Sequence, residues 1–85
     1  MVRKKIQVSV SGGIHMAIAS ALSQTVRTEN IHVFLKVGKK MASIREPLKV
    51  LALGVHAQDW VEIIADCEGE EESVIEQMEK ILCKK

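Results

Sequence analysis

Hydrophobic residues change period repeatedly along this chain, from every second residue to helical spacing and back. From Ile6 to Val10 they fall on alternate positions, the pattern of a strand with one buried face. Ser11-Gly12-Gly13 breaks that run. The stretch from Met16 to Arg27 follows, rich in Ala, Leu, Met and Ile, with Ala19, Leu22 and Val26 at helical spacing. Thr28-Glu29-Asn30 reads as a turn. Ile31, Val33, Leu35 and Val37 then alternate as a second strand, Gly38-Lys39 makes a tight connection, and Lys40 to Ile44 pairs back as a hairpin. Glu46-Pro47 opens a short helix to about Leu53, because proline suits the first helical position and a carboxylate suits a helix N-terminus, and Gly54 ends it. Trp60 to Ala65 alternates again. The acids Asp66, Glu68, Glu70, Glu71 and Glu72 lead into an apolar stripe of Val74, Ile75, Met78, Ile81 and Leu82, with Lys80, Lys84 and Lys85 at the far end. Acids first and bases last is the order the helix dipole favours.

The order β-α-β-β-α-β-α makes this an α+β protein. Its economical packing is one antiparallel sheet with the helices on one face and the other face wet. With 85 residues, two cores would each be too small to fold alone, so residues 1–85 are expected to form a single domain. A net charge of +1 excludes a strongly basic nucleic-acid binder, and two aromatic residues, Phe34 and Trp60, leave no stacking platform for single strands. Cys67 and Cys83 are too few and too far apart for a disulfide framework and read as free thiols. The basic start at Arg3-Lys4-Lys5 runs into alternation instead of an apolar stretch, and no segment is long enough to span a bilayer. A soluble, cytoplasmic protein without membrane insertion is expected. His15, His32, His56, Cys67 and Cys83 show no metal-ligand spacing, and no Ser/His/Asp arrangement emerges.

Gly13-Ile14-His15, together with the order of elements, resembles the HPr family, the histidine-containing phosphocarriers of the bacterial phosphoenolpyruvate:sugar phosphotransferase system. Gln24-Thr25, Val33 with Leu35, Leu53-Gly54, and the acidic turn around Gly69 leading into Val74 extend the resemblance over nearly the whole chain. The resemblance implies an open-faced β-sandwich with strand order 1-4-2-3 and three helices on one face. It implies a carrier rather than a stand-alone enzyme, needing no cofactor. His15 would take phosphate from phosphorylated enzyme I and pass it to sugar permease components.

Imidazole is nucleophilic near neutral pH, and a helix N-terminus offers free amides to an anion. On this reading the backbone at Gly13, Met16 and Ala17 would hold the phosphate. The chain departs from the family in two places. Where the family has arginine two residues after the histidine, this chain has Ala17, followed by Ile18 in place of proline. A charge-assisted hydrogen bond contributes about 1.5–3 kcal/mol, so the missing fork could cost roughly one to two orders of magnitude in transfer. The position before the short helix, a regulatory serine in Gram-positive relatives, is Glu46. It carries a permanent charge that is either a partial imitation of phosphoserine or a plain helix cap.

Pro47, Leu48 and Leu51 offer an apolar docking surface for enzyme I, permease domains or a transcriptional regulator, or are partly core. On the open face of the sheet, Phe34, Trp60 and Ile64 are expected to cluster as an exposed apolar patch, a homodimer or partner site. Three readings stand: a phosphocarrier, a regulatory docking module of the catabolite-repression type without phosphate turnover, and an oligomeric structural subunit.

Overall fold

The computed structural model describes residues 1–26, 31–66 and 69–83. Its elements run β1 (Val2–Gln7), α1 (Met16–Gln24), β2 (His32–Val37), β3 (Lys40–Ser43), α2 (Pro47–Leu51), β4 (Trp60–Asp66) and α3 (Glu71–Leu82). The four strands form one antiparallel sheet in the order β1-β4-β2-β3, the order the resemblance implies.

The first strand lies further toward the N-terminus than its alternation predicts. Pairing with β4 runs from Val2 opposite Ala65 to Gln7 opposite Trp60, and so takes in the basic residues Arg3, Lys4 and Lys5. These lack an apolar signal because β1 is an edge strand. Lys4 is on the helix side, where its ammonium meets the Glu79 carboxylate of α3 at 2.6 Å. Val8 and Val10 keep their buried alternation but leave the ladder. Val8 exchanges backbone bonds with Asp59 and Gln58, and the amides of Ser9 and Val10 both donate to the Leu82 carbonyl at the end of α3.

Two helices are shorter than their patterns. α1 ends at Gln24, where Thr25 donates its hydroxyl to the Leu22 carbonyl. α2 ends at Leu51, with turn bonds carrying the chain to Gly54 at φ +70°. The turn expected at Thr28-Glu29-Asn30, the end of the first helical pattern at Arg27, the Cys67 thiol, and Glu68, Lys84 and Lys85 lie outside the described residues.

The core fills the space between the sheet and the helices. Leu22, Leu35, Ile44, Ile63, Met78 and Leu82 are its largest fully buried side chains. α1 packs on both α2 and α3, and α3 packs on β1 and β4. Truncating a core leucine of this kind to alanine removes about 2–5 kcal/mol.

The open face departs from expectation at Ile64. The register places Phe34, Ile64 and Trp60 on this face, as their parity predicts. Ile64, however, is only 4% exposed, because it lies in the central strand between Arg3 on β1 and Phe34 on β2. Phe34 is half-buried, and only Trp60, at 62%, is well exposed. Glu62 separates Trp60 from Ile64 along β4, flanked by Lys5 and Lys36 and approached by the Arg3 guanidinium at 3.6 Å. The three residues therefore make no continuous exposed apolar patch.

Candidate phosphoryl-accepting site

The loop from Ser11 to Ile14 is shaped by two glycines and delivers His15 to the start of α1. Gly13 adopts φ +70°, and its amide donates to the Val10 carbonyl at 3.0 Å. A Cβ there would lie 2.6 Å from the Val55 carbonyl oxygen and 2.7 Å from the His56 Cα. Only glycine fits so close to another backbone segment. The next amide, of Ile14, donates to that same Val55 carbonyl at 3.1 Å, and the Ile14 side chain is buried.

His15 is exposed and extended (φ −111°, ψ −178°), at the position just before the helix. Its carbonyl accepts the first helical bond, from Ala19 at 2.9 Å. The amides of Met16, Ala17 and Ile18 precede that bond and point from the helix end without an intrahelical partner. No acidic residue occupies the first turn of α1 to repel an anion. An exposed imidazole beside free amides at the positive end of a helix dipole can take up a phosphoryl group and stabilise its oxygens.

Gly13 does not belong among the phosphate-holding amides. Its N–H is committed to Val10 and the residue is buried, so its contribution is the close approach to Val55 and His56. Met16 and Ala17 keep available amides. Ala17 is exposed and carries no charge, so the first turn of α1 offers backbone donors without a cation.

Glu46 precedes α2 as expected, but its carboxylate does not cap the helix amides. It faces Lys49 one turn on, with Oε1 at 3.3 Å from Nζ, and both side chains are exposed. The carbonyl of Glu46, not its side chain, receives the first bonds of α2, from Lys49 and Val50. Its negative charge is thus matched by a neighbouring ammonium.

Of the expected docking residues, Leu48 is 72% exposed, Pro47 is half-buried, and Leu51 is half-buried and packed against the core. Met16, on the neighbouring α1, adds a 47% exposed thioether. His56, a residue whose sequence surroundings mark no role beyond an absent metal spacing, stands in the loop against which Gly13 packs, with its Nδ1 3.7 Å from Asp59 Oδ2.

Cys83 is far from this region in role. Its thiol donates to the Gln7 carbonyl at 3.4 Å. Burial pushes its pKa up, the Glu79 carboxylate adds to the rise, and Lys4 opposes it. It is a poor nucleophile as placed. Among the described residues no helix is long and apolar enough to cross a membrane.

Comparison with known proteins agrees with the fold. The fold is similar to the phosphocarrier protein HPr from Bacillus anthracis (TM-score 0.84, 17% identity, 95% of each chain covered). It is similar to HPr-C-His from Thermoanaerobacter tengcongensis (TM-score 0.84, 19% identity, 100% of this chain and 99% of that one). It also resembles the Bacillus subtilis catabolite repression protein Crh, described as a swapped, intertwined dimer (TM-score 0.74, 23% identity, 99% and 95% covered). At these identities the likeness establishes the fold, and no curated protein matches the chain. The family model for the PTS HPr component phosphorylation site matches residues 2–83, and the chain belongs to that HPr family.

Proposed function

We propose that this chain is a phosphocarrier. An imidazole nitrogen of His15 attacks the phosphorus of the phosphohistidine on enzyme I. One P–N bond forms as the other breaks, and the phosphoryl group then passes in the same way to a sugar permease component. The supporting observation is the exposed His15 set directly before the free amides of Met16, Ala17 and Ile18. Those donors face the transferring oxygens without any reorganisation of the chain. Docking of both protein partners would use Leu48 on α2 and Met16 on α1, the exposed apolar groups of two helices that pack together. The reading places the protein in the cytoplasm. Incubation with phosphoenolpyruvate and enzyme I should phosphorylate the native protein and leave His15→Ala unmodified. Equal labelling of the variant, or none of the native protein, would sink the proposal.

A second reading has its own support. Ala17 removes a cation from the acceptor site, and Glu46 puts a fixed charge at the regulatory position, so the chain could serve as a docking module for a transcriptional regulator without turnover. The Crh neighbour is named for catabolite repression and described as a dimer. A self-association measurement by sedimentation separates the cases, since the carrier reading requires no dimer and a regulator of that type would form one.

A further inference from the structure

We propose that His56, held by Asp59, forms a second half of the acceptor site and supplies the phosphoryl-binding cation that position 17 lacks. The inference rests on His15 being the acceptor and deepens that reading.

One backbone bond joins the two loops. Ile14 precedes His15 and Val55 precedes His56, and the Ile14 amide donates to the Val55 carbonyl at 3.1 Å. Both histidines therefore leave the chain directly after the two residues that this bond joins. Gly13 tightens the same junction, since its missing Cβ would fall 2.7 Å from the His56 Cα and 2.8 Å from its carbonyl carbon. The two loops are in backbone contact, and both histidines are exposed beside it.

The His56 side chain is 83% exposed, and its surroundings give it direction. Its amide donates to Asp59 Oδ2 at 2.9 Å, which fixes that carboxylate against the loop, and the same oxygen stands 3.7 Å from Nδ1. With the carboxylate on the Nδ1 side, Nε2 is the ring nitrogen left to face outward. The facing loop contributes His15 as its only titratable group, and residues 11–20 and 52–59 contain no lysine or arginine. A dianionic phosphoryl group on His15 would meet its nearest cationic side chain from these two segments at His56. The contact is a charge-assisted hydrogen bond from Nε2–H to a phosphoryl oxygen, and no bond to phosphorus is made or broken by His56.

The test follows the His56 imidazole by NMR titration before and after charging with phosphoenolpyruvate and enzyme I. Contact with the phosphoryl group should raise the His56 midpoint by about one unit or more. Asp59→Asn should shrink that response, and His56→Ala should slow transfer about tenfold while His56→Arg restores it. The His56 side chain is 83% exposed, so its variants should keep the fold, and asparagine keeps an oxygen that can accept the His56 amide. A phosphorylated His15 with an unmoved His56 midpoint would overturn this inference alone. No phosphohistidine in any variant would overturn the carrier reading, and this inference with it.

Discussion

The Ile14 amide and the Val55 carbonyl, 3.1 Å apart, tie the loop that carries His15 to the loop that follows α2. Gly13 makes the approach possible, and the exposed position of His15 depends on it. The loop is thus positioned by long-range backbone contact, not by helix α1 alone.

Gly13→Ala is expected to be the most damaging single-methyl change in the site. Its Cβ would fall 2.6 Å from a backbone oxygen, which cannot swing away, and φ +70° is strained for alanine. A loss of about 1–3 kcal/mol in urea unfolding is predicted, with loss of His15 phosphorylation. Gly12→Ala should cost less, because its Cβ would meet only the His15 ring edge at 3.6 Å, although φ +80° is strained there too. Equal stability of Gly13→Ala and the native protein would refute the packing account.

Ala17→Arg should raise phosphoryl transfer roughly ten- to hundredfold by restoring a planar fork to the first turn of α1. If His56 already supplies a cation, the gain should be larger in a His56→Ala background than in the native one. A double-mutant cycle on transfer rates measures that coupling, and strict additivity would separate the two residues.

Leu48 and Leu51 are neighbours on α2 with opposite expected behaviour. Leu48→Ala removes a side chain 72% exposed, so stability should stay within about 0.5 kcal/mol while the apparent KM for enzyme I rises. Leu51→Ala trims a residue packed on the core, so the unfolding midpoint should fall clearly. A Leu48 variant with unchanged KM would remove this leucine from the docking surface.

Cys83 gives the fold a pH dependence on the alkaline side. The folded protein holds the thiol proton more tightly than the unfolded chain, whose value is near 9.0, chiefly because of burial. The thiol's contribution is therefore complete below 9.0 and is lost as pH rises through the higher folded value. The stability difference between the native protein and Cys83→Ala should shrink as pH is raised past 9.0. A difference that stays constant or grows would contradict the burial of this thiol.

The order of elements was legible because the period of apolar residues switches at Gly12-Gly13 and at Pro47 and a glycine turn at Gly38 splits the hairpin, whereas the strand order followed from the family resemblance alone. The first strand was set too late because Arg3, Lys4 and Lys5 carry no apolar pattern, and their pairing with β4 is decided by the neighbouring strand and by Glu79 on α3. The parity of Ile64 was readable, but its burial was not, since that depends on Arg3 and Phe34 in two other strands. Likewise the sequence offered a carboxylate before Pro47, and only the packing of α2 shows that it meets Lys49 instead of the helix amides. The place of His15 before α1 was legible from its glycine pair and the family resemblance. The place of His56 beside the same junction was not, because no local motif announces a backbone bond between Ile14 and Val55.

The most direct test of the account is phosphorus NMR of the protein after charging with phosphoenolpyruvate and enzyme I. The account predicts an acid-labile phosphohistidine signal in the native protein that disappears in His15→Ala. No signal from a preparation whose enzyme I charges an ordinary HPr, or a signal that survives in His15→Ala, would contradict it.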